Sequence, residues 1–171
     1  MPRWGALNFH PCLLPHNRGK HYNFWTLVEE TPFGVTLHFV DEGVDSGDIA
    51  YKSPIEKTWE DTGATLYAKA RAEIVRLFKE KWPEIRRGDM PRTPQDDAHI
   101  TFHRASELEG ASEVRLDGQY RARDLLNLIR ARTFPPHPGA WFVENGVRYD
   151  MRIEITRSIP GLPDEGSEGN A

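Results

Sequence analysis

The sequence predicts an α/β fold, with a helix and a small β-hairpin-containing unit after it. Three observations carry that expectation. Residues 6–9 read as a strand end running into His10-Pro11-Cys12-Leu13-Leu14-Pro15-His16-Asn17-Arg18-Gly19, a loop stiffened by two prolines and released by Gly19. Gly34-Val35-Thr36-Leu37-His38-Phe39-Val40 is β-branched and aromatic, and it ends in the Gly-rich, acidic stretch Asp41 to Ile49. Leu66, Ala70, Ile74, Leu77, Phe78, Trp82 and Ile85 recur at spacings of three and four, the pattern of a helix with one apolar face. Two polar loops at strand ends are where an α/β sheet places its chemistry.

The remaining elements follow in order. Met1 to Gly5 is a lead-in to the first strand. Lys20 to Glu29 mixes aromatic and polar residues, and Phe24, Trp25, Leu27 and Val28 suit a short helix packed on the sheet. Thr31 before Pro32 ends it, because the residue preceding proline disfavours helical geometry. Ile49 to Lys57 reads as another strand, with Pro54 implying an edge or a bulge. The long helix starts at Asp61, capped by Asp61 or Thr62; Pro83 should kink or end it, and Gly88 closes the region. Asp89 to Gly110 is polar and contains proline, a connector in which His99 and His103 are expected at the surface. A second helix begins near Arg121 with Leu125, Leu126 and Ile129 on one face. The rigid turn Arg130 to Phe142 feeds a hairpin centred on Asn145-Gly146, and Tyr149 to Ile155 should be its returning strand. Residues 158–171 are rich in Gly, Pro, Ser and acids and read as a disordered tail.

Composition narrows the class. A chain of 171 residues, 38% hydrophobic and 28% charged, has enough residues for one modest core and a small appended unit. No stretch approaches the roughly 18 apolar residues of a membrane span, and no signal-peptide pattern is present, so a cytoplasmic protein without a membrane partner is expected. The single Cys12 excludes an internal disulfide framework and a cysteine-built metal site, and no metal is expected. A net charge of −4 with scattered Lys and Arg gives no electrostatic footprint for nucleic acid.

The residues Asn8, His10, Pro11, Leu13, Leu14 and Pro15, followed by Gly34 to His38 and then Asp41 to Ile49, resemble the two signatures of the folate-dependent formyltransferases. Cys12 stands where that family usually has Ser. The resemblance to the methionyl-tRNA formyltransferase type is closest in its sugar-nucleotide N-formyltransferase branch, because Asn17 to Trp25 and the Phe134 to Phe142 segment look like that branch. It implies a Rossmann-like fold of which this chain carries the C-terminal part, lacking several opening βα units. On this expectation, residues 1–95 form the catalytic domain, 96–157 a helix and hairpin unit, and 158–171 the tail.

The chemistry fits those residue types. Moving a formyl group from a folate nitrogen to an amine passes through a tetrahedral centre with negative charge on the former carbonyl oxygen, so N–H donors must face it. Asn8 and His10, two apart on an extended segment, project to one side. Asp45 can hold a charged histidine or orient a proton-shuttling water. By resemblance Asn8, His10 and Asp45 are the catalytic trio, and Asn8, Asp41, Gly43 and Asp45 meet the donor, 10-formyltetrahydrofolate. Asp41 and Asp48 also suit loop-shaping, as short acids in turns commonly do. Arg18, Tyr22, Phe24 and Trp25 are candidate contacts to the acceptor, although the three aromatics suit a core equally well. A homodimer fits the family. The expected acceptor is a nucleotide-linked amino deoxysugar. The alternatives are a methionyl-tRNA formyltransferase-like enzyme, for which this acidic chain lacks the basic surface, and a truncated non-catalytic fragment.

Overall fold

The structure, a computed structural model, describes residues 5–158; the lead-in through Trp4 and the tail from Ile159 lie outside the described residues. In chain order these form β1 (Leu7–His10), β2 (Arg18–Gly19), α1 (Tyr22–Val28), β3 (Gly34–Phe39), β4 (Ile49–Pro54), α2 (Gly63–Arg87), β5 (Phe102–His103), α3 (Glu107–Ala111), α4 (Ala122–Arg132), β6 (Ala140–Glu144) and β7 (Val147–Met151), with a 3₁₀ turn at Asp97–His99.

β3 is buried along its whole length and is the middle strand of a sheet ordered β1-β3-β4. Both pairings are antiparallel, and Pro54 ends the edge strand β4 where its missing N–H costs no ladder bond. Side chains alternate across a pleat. The register pairs Asn8 with His38 and His10 with Thr36, so these four share one face, while Phe9 and Leu37 pair on the other. The polar face carries the site and the apolar face meets helix α2.

Helix α2 starts where the sequence places its cap. Thr62 accepts from the Thr65 amide while the Thr65 side chain answers the Thr62 amide, a capping box, and Gly88 closes the helix at φ 78°. Pro83 lies inside the helix, which continues to Arg87. Leu66, Ala70 and Leu77 join Phe24, Leu27, Phe33, Val35, Leu128 and Ala131 in the main core, with Ile74 packed against it. The apolar stripe overreaches this core: Phe78 and Trp82 are 41% and 46% exposed. They lie toward β1, an edge strand, where Phe78 finds Phe9 edge-on and Trp82 finds chiefly Phe78.

The expected connector is built structure. Thr93 bridges Ile49, Phe102 and His103 pair in parallel with Arg18 and Gly19, and the 3₁₀ turn follows Asp96. His99 is exposed and bonded to Asp96, but His103 is buried, its ring stacked on Trp25 at 3.7 Å and 9°. Glu107 bonds its Nδ1 at 3.1 Å. Glu29 lies 2.9 Å from Nε2 but off the N–H direction, an electrostatic contact without a hydrogen bond. In α4 the buried apolar positions are Leu128 and Ala131, not Leu126. Asn145 and Gly146 both take positive φ, joining β6 to β7, so the returning strand begins at Val147 and ends at Met151, before Ile155.

Candidate functional site

The site is assembled on the polar face of the sheet by two loops. Thr36 fixes the first: its hydroxyl donates to the Cys12 carbonyl at 2.7 Å and accepts from the Leu14 amide at 3.1 Å. Asn17, fully buried at φ 53°, ends the proline loop by donating to Thr26 and Thr31 and by exchanging bonds with Thr101. Asp41 shapes the second loop, accepting from the Gly43 amide and the Ser46 hydroxyl. Gly43 touches Ser46 so closely that a Cβ there would sit 2.1 Å from its hydroxyl. Asp48 lies 3.8 Å from Arg92 at the loop's outer side.

Asn8, His10 and Asp45 come together. Asp45 Oδ1 accepts from Asn8 Nδ2 at 3.3 Å, and Oδ2 accepts from the Gly19 amide at 2.9 Å and lies 3.4 Å from His10 Nδ1. His10 Nε2 donates to the Asn17 carbonyl at 2.9 Å, which places an acceptor at each ring nitrogen. His38, whose identity the sequence reading left unused, completes the group. Its Nδ1 donates to the Phe39 carbonyl, and its Nε2 lies 3.2 Å from Asn8 Nδ2 and 3.5 Å from Asp45 Oδ1. Asn8 Nδ2 therefore sits between His38 and Asp45.

Electrostatics poise the cluster. Burial pushes His10 below the ordinary imidazole value, opposed by Asp45 and the Asn17 carbonyl, which favours a neutral ring near pH 7. Burial works against the Asp45 charge, but the His38 and His10 rings and the Gly19 N–H outweigh it and hold the carboxyl at about 2. An ionised carboxylate beside a buried imidazole and a side-chain amide can take up, hold and pass a proton while presenting N–H donors to a developing anion. Cys12 is buried with its thiol pushed up to about 11 by desolvation, which leaves it a packing residue rather than a nucleophile.

A cavity of about 560 Å³ opens beside this cluster. Tyr22 joins the two: it lines the cavity, and its ring meets His10 edge-on at 5.7 Å between centroids. Tyr67 and Phe134 supply further aromatic wall, and Lys20, His21, Arg132 and His137 supply the basic groups. The other acceptor candidates are placed differently. Phe24 belongs to the main core and borders the cavity, Trp25 packs on His103 away from it, and Arg18 directs Nε and Nη2 at Gln95 Oε1. Arg132 lies at a helix end whose local pattern signals only secondary structure, whereas Phe134 opens the segment that resembles the sugar-nucleotide branch. Gln95 lies in the polar connector, where nothing local sets it apart. Among the described residues no group of three or more His, Cys, Asp or Glu is arranged to hold a metal ion, and no helix is long and apolar enough to cross a membrane.

Two segments of the chain match known protein families. Residues 1–80 match the model of the formyl transferase family, and residues 107–157 match that of the N-formyltransferase dimerization C-terminal domain. A 4-N formyltransferase from Francisella tularensis superposes with a TM-score of 0.83 at 25% identity, covering 89% of this chain and 63% of that one. A sugar N-formyltransferase from a Shewanella species gives 0.82 at 21% identity, over 90% and 62%. The formyltransferase PseJ from Anoxybacillus kamchatkensis, in complex with UDP-4,6-dideoxy-4-formamido-L-AltNAc and tetrahydrofolate, gives 0.60 at 34% identity, over 63% and 57%. This chain thus spans less than two thirds of the length of these structures. The two matched segments contain Asn8, His10, His38, Asp45 and every residue lining the cavity, and the chain belongs to the formyltransferase family.

Proposed function

We propose that this chain transfers a formyl group from 10-formyltetrahydrofolate to the amine of a nucleotide-linked amino deoxysugar. The observation that carries the reading is the junction at Tyr22, where the Asn8, His10 and Asp45 cluster abuts a cavity with aromatic walls and basic groups. The residue set suits the folate: an N–H-bearing side chain, Asn8, beside an imidazole and a carboxylate matches a formyl oxygen that gains negative charge as the amine attacks. When bound, 10-formyltetrahydrofolate supplies the activated one-carbon unit. Asn8 orients that oxygen, while neutral His10, its one N–H committed to the Asn17 carbonyl, accepts the proton that the attacking amine gives up and passes it to the folate nitrogen as the bond from that nitrogen to the formyl carbon breaks. Asp45 holds the resulting imidazolium and steadies the ring. The loop carrying Asp41 and Gly43 would border the donor.

The cavity supports the acceptor class. Aromatic faces at Tyr22, Tyr67 and Phe134 suit a nucleotide base or a sugar ring, and Lys20 and Arg132 suit a diphosphate. PseJ, with its UDP-linked formamido sugar and tetrahydrofolate, adds weight to the same class. The hairpin β6-β7 is the proposed homodimer surface, since Val147 and Tyr149 are exposed on one face of it and the C-terminal match is to a dimerization domain.

The test is direct. The purified chain is incubated with 10-formyltetrahydrofolate and, separately, UDP- and dTDP-linked amino sugars and charged initiator tRNA. Formamido-sugar product with at least one nucleotide sugar, lost in His10→Ala, is the expected result. Formylation of the tRNA alone, or no product from a folded chain across the panel, overturns the assignment.

A further inference from the structure

We propose that Gln95 is a positioning residue for Asp45, stapling its loop to the proline loop from a segment that neither family match includes. The inference rests on the reading of Asp45 as part of the reacting site.

Every hydrogen-bonding position of the Gln95 amide is used. Its two N–H groups donate to the Asp45 and Gly47 carbonyls, each at 2.8 Å, and its oxygen accepts from Arg18 Nε at 3.2 Å and Nη2 at 2.8 Å. The first of these carbonyls belongs to a residue that needs holding. Asp45 sits at φ 52°, in the left-handed region that a side chain other than glycine's seldom enters. In that conformation its carboxylate meets the Gly19 amide, Asn8 and the His10 ring together. Gln95 is itself anchored two residues earlier, where Thr93 and Ile49 exchange backbone bonds at 2.8 and 3.0 Å. Through Arg18 the same side chain reaches the residue beside Gly19, whose amide is one of the Asp45 donors. One amide therefore ties both ends of the Asp45 contact set, although its own atoms reach neither Asn8 nor His10 by any hydrogen bond of the structure.

A purely structural connector residue would affect stability and little else. A positioning residue also changes where Asp45 titrates and how fast the chemistry runs. The deciding experiment compares the parent chain with Gln95→Met, which keeps length and removes both donors without adding charge. The Asp45 carboxyl is followed by carbon NMR across acid pH, without substrate, so the result stands apart from whether the chain formylates a sugar. In Gln95→Met the Asp45 titration should move up toward the ordinary carboxylate range. With an active acceptor, kcat should fall roughly tenfold to a hundredfold while the acceptor KM holds within about twofold, the signature of lost orientation. An Asp45 titration unchanged in a folded Gln95→Met chain overturns the proposal. Should Gln95→Met unfold, Gln95→Asn, one methylene too short to reach both carbonyls, is read by the same criterion.

Discussion

Asp45 Oδ2 lies 3.4 Å from His10 Nδ1, and the two residues depend on each other for their charge. Burial lowers the His10 value, and the Asp45 charge is the largest influence opposing it. If His10 must be neutral to take the amine proton, kcat falls on the acid side with a midpoint below the 6.5 of an ordinary imidazole. Asp45→Asn removes the opposing charge, so the midpoint should drop further while turnover falls roughly a hundredfold or more. Rate profiles of both proteins between neutral and acid pH check this; a limb that rises in Asp45→Asn would contradict the pairing.

Folding stability carries the same carboxylate. Asp45 is held at about 2 in the folded chain, against about 4 for an unfolded aspartate. The unfolded chain therefore binds the proton first as pH falls, and the contribution of Asp45 is complete above about 4 and lost as pH descends through about 2. Thermal melts across that window should show a steeper loss in the parent than in Asp45→Asn.

Arg132 separates binding from chemistry. Its guanidinium lines the cavity and is held by the Ser112 hydroxyl at 2.9 Å, and it has no contact with the Asn8, His10 and Asp45 cluster. Arg132→Ala should raise the acceptor KM roughly tenfold to a hundredfold and leave kcat near the parent value, as expected for a lost charge-assisted contact. Steady-state kinetics with the acceptor varied measure both; an equal fall in kcat would move Arg132 into the chemistry.

Gly19 is under two constraints at once. It has φ 92°, and a Cβ built on it would meet the His103 carbonyl oxygen at 2.3 Å. Gly19→Ala must therefore part β2 from β5 or strain the backbone, and should cost about 1–3 kcal/mol in a urea titration. A change under about 0.5 kcal/mol would mean the pairing yields easily.

The hairpin prediction concerns assembly. Phe142 and Tyr149 stack across β6 and β7 at 5.2 Å, and Tyr149 and Val147, two apart on β7, are exposed on that face. Tyr149→Glu should shift the chain from dimer to monomer in sedimentation velocity with its thermal melt largely kept. A parent chain that is already monomeric would rule this surface out.

What the sequence makes legible here is local. Asn8 and His10 share a face because they are two apart on a strand, and the Asn145-Gly146 turn, the Thr62 cap and the Leu66, Ala70 and Leu77 stripe are short-range signals that fold as they read. The failures are long-range. His103 looks like a surface histidine because its partners, Trp25 and Glu29, lie far back in the chain. Gln95 meets Arg18 and Asp45 across 77 and 50 residues. Phe78 and Trp82 continue a helical stripe to the sheet's edge, where only Phe9 of β1 partly covers Phe78, which the spacing of the stripe itself cannot report.

The bond between the Asn17 amide and Thr101 spans 84 residues, and β5 lies beyond it. The loop that holds His10 in place thus waits for late-made backbone. During synthesis, Asn8 and Asp45 leave the ribosome well before Gln95, Thr101 and His103, so the nascent chain displays its chemical groups before it can lock them. The last bonds around the site are made by closure of one long loop, and a ribosome paused before residue 95 would carry Asn8, His10 and Asp45 without the Gln95 and Thr101 anchors.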